Sequence, residues 1–286
     1  MRVIGGLLLI AVTAAASSEI VGRASELYQR TEYASSLRVL AEDPKPDAAN
    51  YFLIGKNYFM SGEYKKATDF FEKALAISPA NSEYELWLGR TWGRRAESSS
   101  WLMAASYASK ARQCFEKAVA LDPRNHEAKN DLFEFYLNAP GFMGGGTDKA
   151  EAAARSIAGE RPAEYEHEEA QLADKKKDYA AAEAHLRRAM ELAAGEPGRV
   201  VDLARYLAKR GKVEESDAYF DQARKMAPGL PMVTFATALA DIENHRNLER
   251  ARRLLEEYLR AGLTPDDPPR QEAEKLLRRV GGSVER

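Results

Sequence analysis

Between Ala48 and Pro79 apolar and polar residues recur with a helical period, not with the alternation of a strand. Apolar or small side chains stand at Tyr51, Ile54, Gly55 and Tyr58, then at Ala67, Phe71 and Ala74. Each set follows the i, i+3, i+4, i+7 spacing of an amphipathic helix. Between them "SGEY" (Ser61–Tyr64) is turn chemistry, and Ser78-Pro79 stops the second helix. The segment predicts two helices folded into a hairpin.

The pattern returns with drift. A unit starting at Ser82 has Leu88, Gly89 and Trp92, then Ala111, Phe115, Ala118 and Pro123. Gly89 and Ala111 lie 22 positions apart where Gly55 and Ala67 lie 12 apart, so ten residues are inserted. A third unit has Leu132 and Tyr136, then Ala150 and Pro162, with five residues inserted around "APGFMGGG". The fourth keeps Tyr179, Ala182, Leu186 and Ala189, and the fifth keeps Leu203, Ala204, Leu207, Gly211, Phe220, Ala223 and Pro228. The sixth keeps Ala251, Leu255 and Tyr258. Repeats are thus expected near 48–81, 82–125, 126–162, 163–196, 197–230 and 231–264. Upstream, 17–47 reads as a looser helical pair, a cap or degenerate repeat. Downstream, 265–286 reads as a C-terminal capping helix and tail, with Pro268 and glutamates early and arginines late, as the helix dipole favours. No strand-like alternation appears, so the fold class is all-α.

The positions in 48–81 resemble the tetratricopeptide repeat (TPR), a 34-residue hairpin unit. The resemblance implies a right-handed superhelix, an α-solenoid of about six to seven hairpins, in which each repeat buries core only against its neighbours. It assigns structural roles to Gly55, Tyr58, Ala67, Phe71, Ala74 and Pro79, and to Gly89, Ala111, Phe115, Ala118 and Pro123 in the next unit. In TPR proteins the first helix of each hairpin lines the concave face. Carried onto this chain, the inward positions are Phe52, Lys56, Phe59 and Met60, then Leu86, Arg90 and Arg94, then Asn130, Glu134, Leu137 and Asn138. Lys56, Arg90 and Arg94 would form a basic strip beside an aromatic pair, resembling a less regular carboxylate clamp. Guanidinium forks match carboxylates, so an acidic partner segment suits this strip. Residues 82–150 also resemble exported bacterial TPR proteins and, more distantly, regulators of microtubule dynamics and the TPR component of TRAP transporters.

Composition narrows the picture. The 286 residues carry 42 Lys+Arg against 44 Asp+Glu, a formal charge of −2, so there is no basic field for a nucleic-acid backbone. "MRVIGGLLLIAVTAAASSEI" has Arg2, an apolar run from Val3 to about Val12, and small residues through Ala16. This predicts an export signal over 1–16, cleaved after Ala16, with no transmembrane anchor thereafter and a periplasmic or secreted destination. No cysteine follows the run, which speaks against a lipid anchor. Cys114, the only cysteine, cannot close an intrachain disulfide and reads as a small buried apolar residue.

Motifs with chemical overtones dissolve on inspection. Gly141 and Gly146 have P-loop separation, but Thr147 and Asp148 stand where Lys and Ser/Thr should be, and a helix precedes the loop. The loop reads as a lengthened turn at the groove's rim, with Thr147 or Asp148 capping a helix from near Lys149. "HEEAQ" (His167–Gln171) has Gln171 in place of a second zinc ligand and reads as solvated polar residues. "DKKKDY" (Asp174–Tyr179) reads as a charged solvated turn. Within the second unit's insertion, Trp101, Leu102 and Met103 either pack over the groove or present a contact patch. No catalytic, metal or cofactor signature rises above background. The expectation is a non-enzymatic scaffold or adaptor binding a protein or peptide in its concave groove in the cell envelope. The second expectation is a binding protein for a small organic anion, serving a transporter.

Overall fold

The structure, a computed structural model, describes residues 18–281, so the predicted signal over 1–16 lies outside the described residues. All elements among the described residues are helical. The chain divides into two compact units, one ending at Ala150 and one beginning at Glu151.

The first unit contains α1 (18–29), α2 (Tyr33–Leu40), α3 (Ala48–Met60), α4 (Tyr64–Ile77), α5 (Ser82–Glu97), α6 (Trp101–Leu121), α7 (His126–Asn138) and a 3-10 turn, Gly141–Met143. The helix α8 (Thr147–Arg155) carries the chain into the second unit. There follow α9 (Pro162–Lys175), α10 (Tyr179–Leu192), α11 (Pro197–Lys209), α12 (Val213–Met226), α13 (Pro231–Glu243), α14 (Leu248–Arg260) and α15 (Arg270–Arg279). In the first unit α3 packs on α4 and α5 on α6; in the second α9 packs on α10, α11 on α12 and α13 on α14. Consecutive hairpins stack through α4 on α5 and α10 on α11, and α15 closes on α14. Each unit is a helical-hairpin stack, the α-solenoid architecture.

Local chemistry sets the starts. The Asp47 side chain accepts from the Ala49 and Asn50 amides while Asn50 returns a bond to the Asp47 amide, a capping box opening α3. Asn81, Asn125 and Asp178 cap α5, α7 and α10 through single side-chain bonds. Proline opens α9, α11 and α13, where its missing N–H costs no helix bond.

Small residues then decide how closely helices approach. A Cβ on Gly55 would stand 2.6 Å from the Phe71 ring, and one on Gly89 equally close to the Phe115 ring. Opposite them Ala67, Ala74, Ala111 and Ala118 are fully buried. The closeness lets Phe71 be buried completely, worth about 1.5–3 kcal/mol relative to exposure. In the second unit Leu203, Leu207, Phe220, Leu255 and Tyr258 fill the corresponding core. Cys114 is buried, and burial pushes its thiol pKa up to about 12, leaving it inert at neutral pH.

The insertions take definite forms. Helices α5 and α6 have 16 and 21 residues where α3 and α4 have 13 and 14, so the ten extra residues lengthen both arms. The five extra residues of the third hairpin become the 3-10 turn and its return. There the Gly146 amide donates to the Tyr136 carbonyl at 2.8 Å. A Cβ on Gly145 would lie 1.8 Å from the Ala139 carbonyl oxygen, so only glycine fits this return. Helix α8 starts earlier than expected. The Gly146 carbonyl accepts from the Lys149 and Ala150 amides, which puts Gly146 at the cap and Thr147 inside the helix. Lys149 turns back and donates to the Gly144 carbonyl at 2.9 Å. The glycines serve close backbone packing.

Candidate partner-binding groove

Helix α5 presents Arg90, Gly93, Arg94 and Glu97 along one face, and α7 presents Asp131, Glu134 and Asn138 along another. Both runs have helical i, i+3, i+4 or i+7 spacing. Between them, within the first unit, opens a cavity of about 480 Å³. Phe59, Phe115 and Phe135 give it an apolar lining, and Ala139, Pro140 and Met143 of the lengthened turn close one side. The longer α5–α6 arm contributes Ala96 and Ala108.

Five residues expected to face inward therefore line this cavity: Phe59, Arg90, Arg94, Glu134 and Asn138. Phe52, Lys56, Met60, Leu86, Asn130 and Leu137 lie outside its lining. Phe52 stacks on Tyr84 with centroids 4.4 Å apart and meets Phe71 and Trp87, so it belongs to the packing between hairpins. The Lys56 ammonium sits over the Tyr28, Phe52 and Trp87 rings at 4.8–5.5 Å, a cation–π arrangement. Asn130 leaves its Oδ1 buried without a hydrogen-bond partner.

The electrostatics differ from a basic strip. The Arg90 Nε donates to Asp131 Oδ2 at 2.6 Å, and a second nitrogen reaches Oδ1 at 3.3 Å. Glu127 adds a third contact at 2.9 Å. Burial opposes the charge of Arg90, but its hydrogen bond and attraction to Asp131 outweigh that and raise its pKa. Asp131 shifts the other way from an ordinary ion-paired acid. Its burial outweighs the help from Arg90, and its pKa is raised. Arg94 pairs with Glu97 at 2.9 Å and its Nε reaches the Tyr64 hydroxyl at 3.2 Å. The groove thus offers an apolar lining and a rim of mixed charge.

Asp131 was missed because inward positions were carried over one helix at a time. The signal was an acid on α7 placed to meet a basic residue on α5. The fate of "HEEAQ" also differs from a solvated stretch. Glu168 is 2% exposed, and His167 lies 3.5 Å from Asp202, with burial lowering the imidazole pKa. In "DKKKDY", Asp178 caps α10 and Lys177 adopts a left-handed φ of 63°. Among the described residues no group of three or more His, Cys, Asp or Glu could hold a metal ion.

Comparison with known proteins bears on the fold. Residues 48–81 match the model of the tetratricopeptide repeat. No curated protein matches the sequence. Among solved structures, a tetratricopeptide repeat protein from Parabacteroides merdae aligns over 94% of this chain and 100% of its own, at 13% identity and TM-score 0.60. A thermophilic TPR protein of Thermus thermophilus aligns over 67% of this chain and 98% of its own, at 19% identity and TM-score 0.54. A chain of the APC/C hetero-tetramer Cut9–Hcn1 aligns over 90% of this chain and 48% of its own, at 16% identity and TM-score 0.51. One tetratricopeptide repeat, residues 48–81, is thus matched directly, and the stack of helical hairpins is the fold shared with these structures.

Proposed function

We propose that this protein is an exported, non-enzymatic scaffold of the cell envelope whose first-unit groove seats a segment of a protein or peptide partner. The cavity of about 480 Å³ carries the reading, because its aromatic lining and polar rim suit one apolar anchor side chain on an otherwise polar segment. Export rests on Arg2, the apolar run and the small residues ending at Ala16. No described helix is long and apolar enough to cross a membrane. An acidic segment, or a small organic anion delivered to a transporter, would have to compete with Asp131 and Glu127 for Arg90. We therefore place the affinity in the apolar anchor. The resemblance of 82–150 to transporter components supports the organic anion only as the second reading.

Gly93 supplies the test. It lines the cavity, and a Cβ there meets nothing within 4 Å, so Gly93→Phe fills the groove without straining the helix. Crosslinked capture from the envelope fraction is compared for wild type and variant at matched thermal stability. A stoichiometric partner should be lost about tenfold or more from the variant, equivalent to ~1.4 kcal/mol. Equal capture by both proteins overturns the groove as the binding site.

A further inference from the structure

The strongest feature that the groove leaves unexplained is the rim of the first unit, where three hairpin turns lie side by side. The Gly62–Lys66 turn shares a cleft with Arg95, Ser98 and Ser99 of the longer arm. Ala96 and Glu97 of that arm share the groove cavity with Pro140 and Met143 of the glycine-rich turn. On this rim Trp101 is 78% exposed, Leu102 67% and Phe142 80%. None of the three lines the cavity; Trp101 and Leu102 open α6 and Phe142 stands in the 3-10 turn, positions where polar residues are the rule. The two insertions put them there.

Charge is also uneven at this edge. Lys66 pairs with Glu63 at 2.5 Å and Arg94 with Glu97 at 2.9 Å, which leaves Lys65 and Arg95 as a surplus of two positive charges in a chain whose formal charge is −2. Trp101, Leu102 and the 46% exposed Met103 are consecutive at the tip of one insertion, and Phe142 stands at the tip of the other. They suit penetration between lipid headgroups, while neighbouring Lys and Arg reach anionic phosphates. We propose that this rim docks the protein on an anionic lipid bilayer, with Trp101, Leu102 and Phe142 inserted at the headgroup level.

The test is flotation of the full chain with vesicles of phosphatidylglycerol and phosphatidylcholine, and with phosphatidylcholine alone. Residues 1–16 are common to all proteins compared, so differences between variants report on the rim. Wild type should float with the anionic vesicles, with its tryptophan emission shifted to the blue and quenched by brominated acyl chains. Trp92 is 6% exposed and Trp87 is part-buried between hairpins beneath Lys56 and Arg90, so Trp101, the most exposed of the three tryptophans, dominates that change. Trp101→Ser/Leu102→Ser/Phe142→Ser should cut partition by about tenfold or more, and Lys65→Glu/Lys66→Glu by several-fold. All five side chains are at the surface, and circular dichroism verifies folding. The serine variant should still capture the partner of the groove, so the two proposals fail separately. Partition unchanged in the serine variant, or no flotation of wild type, overturns membrane docking. So does sedimentation showing wild type dimeric and the serine variant monomeric without vesicle binding, which would make a second copy the occupant.

Discussion

The first unit joins neighbouring hairpins with rings, and the second joins them with guanidinium groups. In the first, Phe52 stacks on Tyr84, Phe59 meets Trp87 edge-on, and Phe115 lies against Phe135. Among the described residues the second unit has one ring pair, Phe235 with Tyr258. In its place Arg187 bonds Glu183 and Glu215, Arg199 bonds Glu164 and Asp202, and Arg250 spans Asp217 and Asp241. Ring packing is apolar and indifferent to pH, and it can line a cavity with aromatic surface. Ion pairs across a hairpin boundary fix helices by direction and titrate, and they offer a partner no aromatic lining of the kind Phe59, Phe115 and Phe135 give. That contrast is why the groove is placed in the first unit.

The contrast breaks first, and hardest, at Asp241. It is fully buried on α13 and accepts from Arg250 at 2.6 and 2.7 Å, while Asp217 on α12 holds the other side of Arg250. Asp241→Asn removes one charge and leaves guanidinium groups facing an amide, which costs about 3 kcal/mol. The matching change in the first unit, Asp131→Asn, leaves Arg90 with Glu127 and removes a carboxylate whose charge burial already disfavours, so it costs well under ~1 kcal/mol. Urea midpoints with hydrogen exchange resolved by unit measure both. Equal losses would mean that ion pairs hold both units alike.

A smaller effect tests the ring side. Gly55→Ala drives a Cβ to within 2.6 Å of the Phe71 ring, and moving that ring should cost about 1–3 kcal/mol. Gly198→Ala meets only the end of Met232 at 3.9 Å and should gain about 0.5–1 kcal/mol from reduced chain freedom. Thermal melts of the two variants should move in opposite directions. A neutral Gly55→Ala would show that the close approach in the first unit is not under tension.

The hairpins were legible in the sequence because their cores use short-range periodicity, and Gly55, Ala67, Phe71 and Ala74 carry it within one unit. The ten-residue insertion was legible as a count, but its form depended on how far α5 and α6 could extend together. The groove was half legible. Arg90 is expected on the inward face and lines the cavity, yet its ion-pair partner Asp131 lies 41 residues away and becomes visible only when α5 and α7 are adjacent. Phe52 has an inward position by number, yet its ring stacks on Tyr84 of the next hairpin. Whether Trp101 and Leu102 would cover the groove or face solvent depended on arm length, which no single-residue pattern reports.

The sharpest comparison of the two glues is pH, because two aspartates in similar settings shift oppositely. Asp217 is partly buried, which alone would raise its pKa, but bonds from Arg246 and Arg250 win and the pKa is lowered. Asp131 is buried more deeply against one guanidinium, with Glu127 adding repulsion, and its pKa is raised. A lowered folded-state pKa gives stability that is complete above the unfolded value, about 3.9, and is lost as pH falls through the folded one. A raised one means that the folded state takes up the proton more readily, so acidification through that pKa relieves a cost. Between neutrality and pH of about 3, Asp217 therefore weakens the second unit while Asp131 slightly supports the first. The expected difference is one of sign between the units, read as unit-resolved hydrogen exchange at a series of pH values. Asp217→Asn should flatten the acid dependence of the second unit and leave that of the first unchanged. If both units soften together in wild type, the pairing around Arg250 is not what separates them, and the division of labour between rings and guanidinium groups fails.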